Sequence, residues 1–373
     1  MSRPPLGRIA GVCGAAAGVL AAGAAAGMAA ERYLVRRPLL RQAAQAGRFG
    51  IRDATPLTVL ADDGVELHVD VKEPGQAEAA HQGTGPDTGQ VTGQVTVIFT
   101  HGYSLNRHCW HYQADGLAGT ARLAFWDHRG HGDSGRGEQP PSIDQLGRDL
   151  SRVLDTVAPT GPVVLVGHSM GGMTIMALAD QHPELFGDRV TGVGLISTSA
   201  GGLGEVTLGV PASTSQLFHL LAPRVITALR TRPTLAERGR RAATDLHFLL
   251  TKRYSFASQV PAELAYFTSQ MLEATPIEVV ADFYPVFADH DKLAALPVLQ
   301  HVETLVLVGA RDLLTPARHS DEIVRAVPGA ELVVVPRSGH MVILEHPETV
   351  NSHLRELIAR AVRTAGMSEG PAA

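Results

Sequence analysis

Gly167-His168-Ser169-Met170-Gly171-Gly172 sets a serine between glycines, directly after the apolar run Val163–Val166 and before the helical stretch Met170–Gln181. A serine hydroxyl is a weak nucleophile. It needs a base to take its proton, an acid to orient that base, and N–H donors for the negative charge that develops on the attacked carbonyl oxygen. The glycine spacing has a steric reason. A serine held in a tight strand-to-helix turn leaves no room for side chains two positions away, so Gly167 and Gly171 let the chain fold back around it. The hydroxyl then stands at the carboxyl end of a strand with a helix N-terminus aimed at it.

The chain has 17 histidines, so position must choose the base. His340 follows the apolar run Val333–Val335 and Gly339, near the C-terminus, whereas His319 and His346 fall within or beside helical stretches and are expected to face solvent. For the acid, Leu305–Val308 leads into Gly309-Ala310-Arg311-Asp312, which places Asp312 at a strand end. The strand that follows the serine helix ends in Ser197-Thr198-Ser199 and offers no carboxylate. The backbone N–H of Met170 is one expected oxyanion donor. That of Tyr103, in the loop His101-Gly102-Tyr103 after Val95–Thr100, is the other, with His101 ordering that loop. The cluster His108-Cys109-Trp110-His111 lacks a second ligand group at matching spacing, so it is read as packing rather than as a zinc site, and no metal or cofactor is called for.

These groups need a scaffold that brings distant strand ends together. Leu57–Leu60 and Val65–Val71 alternate around Asp62-Asp63-Gly64 and read as a β-hairpin. Glu73–Gln94, rich in Gly, Gln, Thr and Pro, reads as a surface loop within the core. Beyond it, short apolar runs at Val95–Thr100, Leu123–Trp126, Val163–Val166, Val190–Ile196, Leu305–Val308 and Leu332–Val335 alternate with helical stretches such as Ile143–Val157. This is the pattern of a mostly parallel, doubly wound α/β sheet. Residues 49–199 and 300–373 form this core. The interruption at 200–299 carries helical periodicity at Leu246–Tyr254, Glu263–Glu273 and Ile277–Phe287, and reads as a cap.

Taken jointly, His101-Gly102, Asp127-His128-Arg129-Gly130-His131-Gly132-Asp133-Ser134, the GHSMGG stretch, Asp312 and Ser338-Gly339-His340 resemble the α/β-hydrolase superfamily over roughly residues 55–365. The second and third stretches are similar to those of monoacylglycerol-lipase-like and carboxylesterase-like members. The resemblance implies the α/β-hydrolase fold, a Ser169, Asp312, His340 triad in that chain order, and hydrolysis of a small-molecule or lipid ester through an acyl-enzyme. A serine at 169 departs from epoxide hydrolases and haloalkane dehalogenases, whose members carry aspartate there. Perhydrolase or haloperoxidase-like chemistry, acyl transfer to an alcohol, and a non-enzymatic binding role remain as alternatives. The motif Asp127–Ser134 reads as architecture.

Bulk composition agrees with a soluble-type core: of 373 residues, 45% are hydrophobic and 18% charged, and the net charge of −5 with no basic block excludes a nucleic-acid partner. Residues 1–48 differ. They hold seven arginines against the single Glu31, around 22 uncharged residues from Ile9 to Ala30. That run is long enough to cross a bilayer but is mostly Ala and Gly. It reads as a membrane anchor, a cleaved signal peptide or a packed helix. The arginine flanks favour an anchor with the enzyme on the cytoplasmic side, whereas signal cleavage would place it outside. Cys13 and Cys109 suggest no structural disulfide, and oligomeric state is not legible.

Overall fold

The computed structural model describes residues 49–74, 95–206, 209 and 244–368. Eight strands form one sheet: β1 (Thr55–Leu60), β2 (Glu66–Lys72), β3 (Thr96–Thr100), β4 (Arg122–Trp126), β5 (Val163–His168), β6 (Val190–Ile196), β7 (Glu303–Gly309) and β8 (Glu331–Val335), in the order β1-β2-β4-β3-β5-β6-β7-β8. β1 and β2 are the expected hairpin, closed at Gly64 (φ +82°) by its N–H bond to the Ala61 carbonyl. β2 meets β4 antiparallel, and every pairing from β4 to β8 is parallel. The central strands are apolar throughout because both faces are covered. Val97 and Phe99 of β3 face one core cluster and Ile98 the other.

On one face lie α2 (Ile143–Val157) and α3 (Met170–Gln181), both with the limits read from sequence. The Ser142 hydroxyl starts α2 by accepting the Gln145 N–H at 3.0 Å. On the other face lie α1 (His111–Gly116) and the long α9 (Pro347–Ser368). Gly192 and Gly194 make a shallow groove on β6, and Leu354, Leu357 and Ala361 of α9 occupy it.

The described part of 200–299 is helical: α4 (Thr244–Ser255), α5 (Ala262–Ala274) and α6 (Ile277–Phe283), then short 3-10 turns at Tyr284–Phe287 and Leu293–His301. The continuous helix expected from Ile277 to Phe287 therefore breaks at Phe283. The cause is Pro285, which has no N–H to give to the Ala281 carbonyl. Leu296 and Leu299 pack in the sheet core, so the last part of this region lies against the doubly wound layers. The neck of the insertion is closed by the Lys292 N–H to the Ala200 carbonyl (2.7 Å) and by His290 Nε2–H to the Ser199 carbonyl (2.9 Å). The remaining short helices are α7 (Ala317–Ala326) and α8 (Val342–Glu345).

The surface loop expected at 73–94 lies outside the described residues beyond Pro74, as does the whole of the apolar run at 9–30. Among the described residues no helix is long and apolar enough to cross a membrane.

Candidate active site

Ser169 sits between β5 and α3 at φ +54°, ψ −117°, a backbone conformation that L residues rarely adopt. The two flanking glycines permit it. A Cβ on Gly167 would lie 2.5 Å from the backbone of Gly171 and Gly172, and one on Gly171 would strike the Thr100 carbonyl of β3. Met170 opens α3, so its N–H belongs to the first turn that a helix leaves without an internal acceptor. Gly102 closes over the serine from the neighbouring strand end. A Cβ there would be 3.2 Å from Ser169 Cβ and 2.9 Å from His168 Nδ1. The structure thus brings Gly102 and the head of α3 to the same side chain.

Asp312 and His340 meet after β7 and β8. His340 Nδ1 lies 2.8 Å from Asp312 Oδ2, and both residues are buried. Asp312 is held by further donors: the N–H groups of Leu314 and Thr315 at 2.9 Å on Oδ1, and the Thr315 hydroxyl at 2.9 Å on Oδ2. Burial alone would raise its pKa. The His340 charge and these hydrogen bonds outweigh burial, and the carboxyl titrates below its ordinary range. An anionic Asp312 fixes the proton of a neutral His340 on Nδ1 and leaves Nε2 as the acceptor nitrogen.

One hydrogen bond ties the serine turn to the histidine loop. His168 is buried, and burial followed by the neighbouring His340 lowers its pKa to about 3, so it is neutral. Its Nε2–H donates to the His340 carbonyl at 3.0 Å, with the two rings 4.8 Å apart. A second anchor holds the loop from below. The Glu345 carboxylate accepts the N–H of Gly339 (2.6 Å) and those of Ala257 and Ser258 (3.0 and 2.6 Å), joining the end of α4 to the turn that carries His340.

Three further neutral histidines build the loop beside Ser169. His101 Nδ1–H donates to the Gly102 carbonyl at 2.7 Å, while its Nε2 accepts the His128 N–H. His128 Nε2–H returns to the His101 carbonyl, and His131 Nε2 accepts the Ser104 N–H at 3.2 Å. Burial lowers His101 and His131 to about 3 and His128 well below its ordinary value. Each therefore works as a fixed donor and acceptor. The segment Asp127–Ser134 is braced by charge: Asp127 takes the Arg107 N–H and guanidinium, and Arg129 spans Asp149 (2.6 Å) and Asp63 (2.7 Å).

Two expectations need correction. His319 does not face solvent: it is buried, with Nδ1 2.8 Å from the Ser199 hydroxyl, and His346 is half-buried. For His319 the cause is that α7 packs against the neck of the insertion, an arrangement with no periodic trace in the chain; His346 sits in the turn between α8 and α9. His108 and His111 tie down the entering chain, His108 Nδ1 accepting the Ile51 N–H and His111 Nδ1–H donating to the Gly50 carbonyl, while Cys109 and Trp110 fill the core. Among the described residues Glu331, His353 and Glu356 could approach one ion, but His353 and Arg360 already pair with Glu331. Sequence reading missed two connections: the contact of the Tyr103 hydroxyl with the insertion, and the role of His168 as the link to the His340 loop.

A family model described as the alpha/beta hydrolase family matches residues 97–353. The chain is 28% identical over 267 residues to the dihydrolipoyllysine-residue acetyltransferase component of an acetoin cleaving system from Pseudomonas putida, covering 70% of this chain and 63% of that protein. It thus spans less than two thirds of that relative's length. It is also 28% identical over 267 residues to a pimeloyl-[acyl-carrier protein] methyl ester esterase from Yersinia enterocolitica, covering 69% of this chain and 90% of that one. Among solved structures it is similar to a thermophilic esterase from Thermogutta terrifontis, with a TM-score of 0.61 and 25% identity, covering 83% of this chain and 99% of the other.

Proposed function

Since the chain belongs to the alpha/beta hydrolase family, we propose that it is a serine hydrolase that cleaves carboxylic esters through an acyl-enzyme, with Ser169, Asp312 and His340 as its triad. The observation that carries this reading is the buried 2.8 Å pair of Asp312 and His340, hydrogen-bonded through the His340 carbonyl to the residue beside Ser169. His340 Nε2 takes the Ser169 proton as the hydroxyl oxygen attacks the ester carbonyl. The charge on the carbonyl oxygen is received by the N–H groups of Tyr103 and Met170. His340 then protonates the leaving alcohol, and in the second half activates water to release the acid.

Helices α5 and α6 belong to a cap that covers the pocket and sets the acyl group accepted. The uncharged run at 9–30 with its arginines is a membrane tether in this reading, checked by fractionating cells that express the full chain. Recovery in the membrane pellet supports a tether, and a shortened soluble product overturns it.

The mechanism is tested with a fluorophosphonate probe and a short-to-long series of p-nitrophenyl esters. The wild-type protein labels and hydrolyses. Ser169→Ala does neither, with turnover down at least about 10³-fold and an unchanged melting temperature. Equal labelling of the two proteins would overturn the reading.

A further inference from the structure

Tyr103 occupies an unusual position in its loop. The groups on either side of it are held by the sheet domain. The Gly102 carbonyl accepts His101 Nδ1–H and the Leu105 N–H, and the Ser104 N–H, in a residue at φ +56°, goes to His131. The Tyr103 side chain reaches across to the insertion, packing on a buried cluster that joins Met170 and Met173 of the sheet domain to Val279 and Phe283 of α6. Its hydroxyl donates to the Val280 carbonyl of α6 at 2.6 Å, and its ring meets Phe287 edge-on at 5.0 Å. Burial pushes the phenol pKa up, which keeps the donor proton in place.

Helix α6 is docked on the same neighbourhood by further contacts, beginning with the cluster its Val279 and Phe283 form with Ile143, Leu146, Met170 and Met173. Phe283 packs edge-on against His131 with ring centres 5.1 Å apart, and His131 is the acceptor for the Ser104 N–H. Val279 sits against Gly130, where an added Cβ would be 3.1 Å from its methyl group. The Arg136 guanidinium pairs with the Asp282 carboxylate. The helix therefore reaches the Gly102–Ser104 loop directly, through the Tyr103 hydroxyl and through the Phe283 ring 6.5 Å from that of Tyr103, and indirectly through Phe283 and His131.

Building on the serine-hydrolase reading, we propose that Tyr103 is a positioning residue: its hydroxyl bond to the Val280 carbonyl makes the placement of the Tyr103 N–H beside Ser169 depend on α6 being docked. The backbone of this residue serves the oxyanion while its side chain reads the state of the cap. A lid that has lifted off α6's seat then leaves the oxyanion site slack, and a seated lid tightens it. Acylation is thereby confined to the closed enzyme, where water is largely excluded.

Tyr103→Phe removes one oxygen and keeps the ring. The measurement is the rate constant for labelling by a small fluorophosphonate, with kcat and KM for a p-nitrophenyl ester and the melting temperature alongside. Loss of one neutral hydrogen bond corresponds to labelling about fivefold slower, with the fall in kcat rather than KM. Arg136→Ala supplies the second arm, because it weakens the seat of α6 without touching the loop. It slows labelling in the wild-type background and adds little in the Tyr103→Phe background, since both changes act through one event. Labelling of Tyr103→Phe within about twofold of wild type overturns the proposal, as does a slowing that simply multiplies with that of Arg136→Ala. Neither result touches the hydrolase reading, which stands or falls on labelling of wild type against Ser169→Ala.

Discussion

Ser169 is held where its own backbone is strained, and the strain belongs to the position rather than to the hydroxyl. At φ +54° any Cβ costs energy, on the order of 1–3 kcal/mol. A glycine gives part of this back, because its larger freedom in the unfolded chain offsets some of the gain. Two variants that lack the hydroxyl should therefore differ in stability. Ser169→Gly should exceed Ser169→Ala by about 1 kcal/mol, or roughly 2 °C in melting temperature for a chain of this size, read by calorimetry. Equal melting temperatures would mean that the turn relaxes when the hydroxyl is lost. The serine and its glycines were legible in the sequence because their constraint is local, confined to five consecutive residues. Asp312 and His340 were legible because each follows an apolar strand. The Tyr103 hydroxyl was not, since its acceptor is the main chain of Val280, 177 residues away, and a carbonyl has no residue type to recognise.

At the scale of elements, the central parallel strands were readable as short apolar runs because both faces of the sheet are covered there. Helices α2 and α3 were readable because each meets a clear stop. What joins the elements is less visible. Arg129 links the β1–β2 turn at Asp63 to α2 at Asp149, and both Arg129 and Asp149 are buried. Truncating the arginine strands a buried carboxylate without its partner. Arg129→Ala should cost about 3–5 kcal/mol, measured by urea denaturation, and Arg129→Ala with Asp149→Leu should recover much of it. A double variant as unstable as the single one would show that the loss lies in packing and not in charge. Such a bridge is hidden in the sequence because an arginine in a Gly-rich loop looks solvated until the fold supplies its carboxylates.

For the molecule as a whole, the cluster of neutral histidines sets a lower limit of pH for the folded state. His101, His131 and His168 titrate near 3 when folded, and His128 is also strongly lowered, whereas in an unfolded chain each takes a proton near 6.5. The folded pKa is depressed, so the stabilising contribution is complete above about pH 6.5 and is lost as the pH falls toward 3. Each such histidine contributes a slope of about 1.4 kcal/mol per pH unit across that window. Asp312, lowered below its ordinary value, adds a loss in the same direction at the acid end. Stability from urea denaturation at steps between pH 7.5 and 4.5 should fall steeply below 6.5. A flat profile would show that these rings are protonated, or reached by water, in the folded protein.

The seating of α9 in the Gly192 and Gly194 groove has a consequence for the order of events during synthesis. The chain has made its serine turn by residue 172 and its proposed acid and base by residue 340. Leu354, Leu357 and Ala361, which cover β6, come later still. A nascent chain stopped between the two points holds Ser169, Asp312 and His340 and lacks one wall of its core. It would present the apolar face of β6 and β7 to its neighbours, a state prone to association rather than to turnover. The last wall of the core to be made is thus one that lies behind the sheet, on β6.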